Sequence, residues 1–261
     1  MRAACAGARG AVFSSGASSA TSVRARRRPL RPASRDGRAP VTLIVFDVEG
    51  TLIDSQHLIV AAQGLAFAEH GLAAPSRTES LSVVGLSLPQ AFRRLVGDDG
   101  PVEGLSESYR RAFNLLRLDP NYEEPLFPGM KALLQRLHAR EDIQLGIATG
   151  KARRGVDRLI ETHGWQDWFA TTQSADDAPS KPDPTMLRQA MAEAGATPET
   201  TVMIGDTTYD MEMAVSAGAV AIGVGWGYHP AGALFGSGAA TVVESASALG
   251  ELFPGAGPVF P

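Results

Sequence analysis

Val41-Thr42-Leu43-Ile44-Val45-Phe46 runs directly into Asp47-Val48-Glu49-Gly50-Thr51-Leu52, so that a short apolar segment ends in two carboxylates two residues apart. An apolar run of this length predicts a buried strand. Side chains of a strand alternate between its faces, so Asp47 and Glu49 leave the strand end toward one site while Val48 packs the other way. Gly50 lets the chain turn sharply after them. One carboxylate can then act as a nucleophile and the other as an acid/base, a division of labour that needs two nearby but differently placed carboxyl groups. In isolation such an aspartate reads equally well as a turn or capping residue.

The same design recurs downstream. Ile143-Gln144-Leu145-Gly146-Ile147-Ala148 predicts a strand that ends in Thr149-Gly150-Lys151. Thr201-Val202-Met203-Ile204-Gly205 predicts another, ending in Asp206 with Asp210 one helical turn further on. Between them, 128–140 carries Met130, Leu133, Leu134 and Leu137 at helical spacing, and helices are expected over 153–163, from Asp183-Pro184 to about 194, and from about 209 to 217. Ser180-Lys181-Pro182-Asp183-Pro184 sets a lysine on a stiff turn. This β-α rhythm predicts an α/β fold with a doubly wound parallel sheet, whose ligands sit beyond the carboxyl ends of the strands. Asp47, Thr149 and Asp206 all stand at such ends. From Ser55 to about Tyr122 the rhythm breaks, leaving helical patterns over 58–70, 88–96 and 105–118 and no convincing strand.

Nucleophile, hydroxyl, lysine and acidic pair, in this order, resemble the haloacid dehalogenase superfamily of aspartate-nucleophile hydrolases, and most closely its phosphoglycolate phosphatase-like branch. The resemblance extends from Val41 to about Phe253. It implies a Rossmann-like core built from 41–56 and 123–253, an inserted all-helical cap over 57–122, and a tail over 254–261. A cap of this kind closes over a small substrate and excludes water. The resemblance further implies that Asp47 attacks phosphorus to form an aspartyl-phosphate and that Glu49 is the acid/base. It assigns Mg²⁺ to Asp47, the backbone carbonyl of Glu49 and Asp206, with Asp210 in support, and phosphate binding to Thr149, Gly150 and Lys181. The expected function is that of a Mg²⁺-dependent phosphomonoester hydrolase acting on a small phosphorylated metabolite. Glu49 departs from the pattern, because most such relatives carry Asp there, although the enolase-phosphatase branch shares Asp-x-Glu-Gly-Thr. A non-catalytic phosphate-binding or regulatory protein is therefore an alternative. A dehalogenase ranks lower, since attack on carbon needs neither an acid at position 49 nor the pair Asp206 and Asp210.

Other conspicuous residues receive blander readings. Lys151 reads as a solvated surface charge, and Asp176, Asp177 and Asp183 as turn and capping residues near Lys181. Arg93, Arg94, Arg110 and Arg117 in the helical segment read as solvated helix faces, with a substrate carboxylate as the functional alternative. Trp165, Trp168 and Trp226 read as packing, and His229 as a loop residue without a catalytic role.

Composition fits an enzyme with one sizeable core: 261 residues, 44% hydrophobic and 20% charged. The formal charge of -4 hides an asymmetry. Residues 1–40 hold nine arginines and one acid (Asp36), a balance of +8, which leaves -12 on the remaining 221. An acidic body argues against nucleic acid as partner. Cys5 stands alone, which excludes an internal disulfide and fits a reducing, cytoplasmic setting. The span 213–243 lacks Asp, Glu, Lys and Arg after Glu212, but Gly218, Gly223, Gly225, Gly227 and Pro230 interrupt it. It is expected to form a short strand over 219–224 and a Gly-rich loop rather than a membrane span. The Arg/Ser-rich first 40 residues are expected to be disordered. They read either as an organellar transit peptide or as an upstream extension of the coding sequence with Val41 near the true start; the presence of only three lysines, Lys131, Lys151 and Lys181, points to GC-rich coding and favours the second. Sequence leaves the particular substrate and the oligomeric state open.

Overall fold

The computed structural model describes residues 41–254. The extension over 1–40, with Cys5, and residues 255–261 of the expected tail lie outside the described residues. Six strands, β1 (Thr42–Phe46), β2 (Ile143–Ala148), β3 (Phe169–Gln173), β4 (Thr201–Gly205), β5 (Val220–Val224) and β6 (Thr241–Val243), form one parallel sheet in the order β3-β2-β1-β4-β5-β6. All five pairings are parallel. This is the doubly wound order, in which the chain winds outward from β1 in one direction and then from β4 in the other, opening a crevice between the two halves.

Strand alternation divides the core. Ile44 and Phe46 pack on one face with α5 (Met130–His138), α6 (Arg153–His163) and Trp165, while Leu43 and Val45 pack on the other with α7 (Thr185–Ala194) and α8 (Thr208–Ala217). Both faces of β1 are thus covered, which is why its five residues are all apolar or buried. β3 and β6 were not expected from sequence. They lie at the two sheet edges and are short, and β3 carries two threonines rather than a continuous apolar run. The span 213–243 corrects the expected Gly-rich loop: after β5 it holds a short helix, α9 (Ala231–Gly236), before β6. A final helix, α10 (Ala246–Glu251), caps the α5 face.

Between β1 and α5 the chain is helical: α1 (Gln56–Glu69), α2 (Arg77–Ser82), α3 (Leu88–Val96) and α4 (Val102–Leu116). α1, α3 and α4 enclose an apolar centre of their own from Ala62, Ala66, Phe67, Phe92, Leu105 and Tyr109. The exit and return segments run side by side, with Asp54 N–H donating to the Pro125 carbonyl (2.8 Å) and Phe127 N–H to that of Leu52 (3.0 Å). The helical unit is therefore tethered at one place on the rim, beside Glu49. It also rests on the core: Tyr209 Oη donates to the Ser82 carbonyl (2.8 Å), and Ser87 N–H donates to Ser180 Oγ (2.8 Å). Among the described residues no helix is long and apolar enough to cross a membrane.

Candidate active site

The crevice at β1 and β4 is where the sequence-predicted carboxylates meet. Register sets them there: Phe46 pairs with Ile147 of β2 and Ile204 of β4, so Asp47, Ala148 and Gly205 emerge together at the carboxyl edge. Asp47 N–H donates to the Ile204 carbonyl (2.9 Å), which holds the Asp47 backbone in the strand end. Asp47, Asp206 and Asp210 are buried, each offering a carboxylate oxygen within 4.8 Å of the others.

Their environments differ. Asp210 is fully engaged: its Oδ1 accepts from Lys181 Nζ (2.6 Å), and its Oδ2 from the Thr207 N–H (3.1 Å) and hydroxyl (2.7 Å) in the capping box that opens α8. Asp206 accepts from Thr51 Oγ1 (2.8 Å) and from the Tyr228 N–H (2.9 Å). Gly50, with φ 85°, and Gly227 approach its carboxylate so closely that a β-carbon at either would overlap it. Asp47 Oδ1 lies 2.9 Å from Lys181 Nζ in a buried ion pair, and no other side chain among the described residues engages its carboxylate. Burial pushes the Asp47 carboxyl up to about 6, against the pull of Lys181 and with a further push from Asp210. Burial also drives Asp206 well above the usual carboxylate range, reinforced by Asp47 and Asp210. Burial works against the charge on Lys181, but Asp210 and Asp47 outweigh it and raise its pKa.

Three buried carboxylates around one ammonium leave a deficit of about two positive charges, and on Asp47 only Oδ1 has a side-chain partner, Lys181. An all-oxygen donor set with that charge suits a hard divalent cation such as Mg²⁺. The residues present therefore fit the metal the resemblance implies. The Glu49 side chain is not part of this cluster.

Glu49 points instead to Lys151. Lys151 Nζ donates to Glu49 Oε1 (2.8 Å) and to Glu124 Oε1 (3.1 Å), and it lies 5.1 Å from the centre of the Phe113 ring. The Lys151 side chain is only 9% exposed, which corrects its reading as a solvated surface charge. Desolvation opposes its charge, yet Glu49 and Glu124 prevail and raise its pKa. Glu124 is held in turn by Arg117 (3.3 Å). The network joins the loop after β1, the loop after β2, the return segment and the end of α4.

Thr149 is buried at the end of β2, with its hydroxyl accepting from the Lys151 N–H (3.2 Å). Gly150 lies under the loop between α2 and α3, its α-carbon so close to the Gly85 and Leu86 carbonyls that a β-carbon would stand 2.6 and 2.7 Å from them. A cleft of about 300 Å³ opens above, lined by Glu49, Gly150 and Lys151 from the core side and by Tyr109, Arg110, Phe113 and Arg117 from α4 and its end. Arg93 pairs with Asp98 and Arg94 lies over the Tyr209 ring (5.5 Å), so these two arginines serve other contacts. Asp177 accepts from the Ser174 N–H (2.8 Å) and pairs with Arg153, and Asp183 accepts from the Thr185 N–H (2.9 Å), both as turn residues. Trp165 packs among its neighbours, but Trp226 also donates to the Thr51 carbonyl (3.1 Å) and braces the loop after β1. His229 accepts from the Thr208 N–H (3.2 Å) on Nδ1 and its Nε2–H faces the Ser82 carbonyl (3.3 Å), bridging α8 to α2. Thr51, Glu124 and Tyr228 were not singled out in sequence; of these only Thr51, inside the Asp-x-Glu-Gly-Thr motif, had a signal.

Residues 44–224 match the model of the haloacid dehalogenase-like hydrolase family. The chain belongs to that family. It is 35% identical over 191 residues to a protein named "Probable phosphatase IndB" from Dickeya dadantii, covering 72% of this chain and 82% of the relative. It is 30% identical over 227 residues to the tyrosine-protein kinase PtkA of Mycobacterium tuberculosis, covering 85% and 74%. Among solved structures, a hydrolase from Pseudomonas syringae superposes with a TM-score of 0.70 at 26% identity, over 80% of this chain and 95% of that one.

Proposed function

We propose that this haloacid dehalogenase-type phosphatase is a Mg²⁺-dependent hydrolase of small phosphomonoesters that works through an aspartyl-phosphate on Asp47. The observation that carries the reading is the state of Asp47: buried at the crevice, with Lys181 as the only side chain paired to its carboxylate among the described residues. A carboxylate so placed, kept ionised by one lysine and otherwise unengaged by side chains, is available as a nucleophile. Mg²⁺, held by Asp47, the Glu49 carbonyl and Asp206, would neutralise phosphate and nucleophile. Asp210 supports Lys181, whose ammonium faces the reacting oxygen, and the Thr149 hydroxyl and Gly150 N–H hold phosphoryl oxygens. Glu49 protonates the leaving alkoxide and then draws the proton from the water that hydrolyses the aspartyl-phosphate, with Lys151 fixing where its carboxyl stands. The helical segment 57–122 serves as the cap. Its cleft of about 300 Å³ lies at the small end of ligand pockets, which suits a metabolite better than a protein-bound phosphate.

One relative is named as a tyrosine kinase, and transfer of phosphate to a tyrosine hydroxyl would need an open approach for a protein segment. The closed contacts of Ser82 and Ser87 on the core favour the small-molecule reading. A metabolite phosphatase panel with Mg²⁺ and with EDTA tests the proposal. Release of phosphate from small esters, lost in EDTA, is expected; no release from any of them refutes it.

A further inference from the structure

The cleft holds more positive charge than one phosphate monoester uses. Five cations line it, Arg110, Arg117, Lys151, Arg154 and Arg158, against the carboxylates Glu49 and Asp176. They sit on a body that carries -12 over residues 41–261, so the local excess runs against the composition of the chain. Lys151 is consumed by Glu49 and Glu124. The others are deployed across from each other. Arg154 and Arg158 are four residues apart on α6, hence on one side of that helix about 6 Å apart along it. Arg117 faces them from the end of α4.

These three guanidiniums are close enough to repel. Burial holds Arg117 below its ordinary value, Glu124 opposes the shift, and Arg158 and Arg154 add to it. Arg117 pairs with Glu124, which is already shared with Lys151. Arg154 and Arg158 make no ion pair or hydrogen bond among the described residues. The phosphate to be cleaved has its own machinery in Lys181, Thr149 and Gly150, so the arginines are left for another anion. A carboxylate is satisfied by one forked guanidinium, whereas a phosphate dianion has oxygens for three and charge to offset their repulsion.

We propose that the substrate is a compact bisphosphorylated metabolite, whose second phosphate is held by Arg117, Arg154 and Arg158 at the outer end of the cleft. This rests on the phosphatase reading given under Proposed function. Gly150 and Lys151 lead into α6, where Arg154 lies in the first turn and Arg158 one turn later, about 6 Å further along, and a second phosphate held there calls for a spacer of a few carbons. Phe113, Tyr109, Val83 and Val84 supply an apolar wall for it.

The test compares triose, pentose and hexose bisphosphates with the corresponding monophosphates, with 3-phosphoglycerate as the carboxylate analogue and with p-nitrophenyl phosphate. At least one bisphosphate should have a KM ten-fold or more below its monophosphate. The Arg154→Ala/Arg158→Ala variant should raise that KM roughly 100-fold more than it raises the KM for p-nitrophenyl phosphate, since each charge-assisted hydrogen bond is worth about ten-fold or more. Equal KM values for all bisphosphates and monophosphates, preference for the carboxylate, or equal effects of the variant on all substrates would overturn the proposal. Titration calorimetry of the Asp47→Asn protein with the same bisphosphates separates this inference from the phosphatase reading: binding that disappears on adding the two arginine substitutions supports it even if no turnover is seen. No binding of any bisphosphate refutes it.

Discussion

Replacing Glu49 by Asp supplies the residue that the resemblance leads one to expect there, and here it should impair the enzyme. One methylene shortens the side chain by about 1.5 Å. The Lys151–Glu49 separation of 2.8 Å then opens to roughly 4.3 Å, beyond hydrogen-bond range, because Lys151 stays bound to Glu124. At an effective dielectric of about 20, the lost attraction is roughly 2 kcal/mol, and with Glu49 15% and Lys151 9% exposed, solvent screening reduces it to about 1 kcal/mol. The larger effect is on rate. A displacement of more than about 1 Å in an acid/base group costs on the order of 100-fold. The assay is kcat on an alkyl phosphate and on p-nitrophenyl phosphate, with thermal melting alongside. A drop of about 100-fold on the alkyl ester, a smaller one on the nitrophenyl ester, which needs little protonation, and a melting shift of a few degrees are expected. Wild-type or higher kcat of Glu49→Asp on the alkyl ester would show that Lys151 does not set the position of this carboxyl.

Three further outcomes are expected. Glu49→Gln should cut turnover on alkyl esters by about 100-fold or more while Mg²⁺ affinity survives, and equal turnover on every substrate would remove its assigned role. Gly150→Ala should lower kcat by about ten-fold or more and stability by about 1–3 kcal/mol, because the new methyl group meets the Gly85 and Leu86 carbonyls and lifts that loop; unchanged kcat and melting would contradict the close approach. His163 stacks on Trp165 (4.5 Å), and burial, aided by Lys131, holds its pKa below the ordinary 6.5. The folded state therefore disfavours the charged ring, so this contribution to stability is complete above pH 6.5 and is lost as pH falls below it. Between about pH 7.5 and 5.5 the wild type should lose more melting temperature than His163→Phe; parallel losses would refute the assignment.

Much of the arrangement was legible in order along the chain. Asp47, Thr149 and Asp206 end strands that apolar runs announce, and parallel pairing brings strand ends to one edge whatever the sequence between them. Asp210 was legible because it lies one helical turn from Asp206. The Lys151 network was not, since Glu124 is separated from the first loop by the whole helical unit and reaches Lys151 only because the exit and return segments run side by side. A lysine after a Thr-Gly pair gives no sign of such a partner. The arginine pair of α6 was hidden for a similar reason: its significance depends on Arg117 across the cleft, and helical periodicity reports which face is polar without reporting what it faces. β3 and β6 escaped notice because edge strands need little apolar content. α9 was concealed by the glycines around it.

Everything proposed for this site depends on Asp47 carrying the phosphoryl group during turnover. Rapid acid quenching of the enzyme with substrate and Mg²⁺, followed by peptide mass spectrometry, reads out that bond itself. A phosphoryl group on the peptide containing Asp47, absent from Asp47→Asn along with turnover, is the predicted result; full turnover by Asp47→Asn, or a phosphoryl group trapped on another residue, would contradict it.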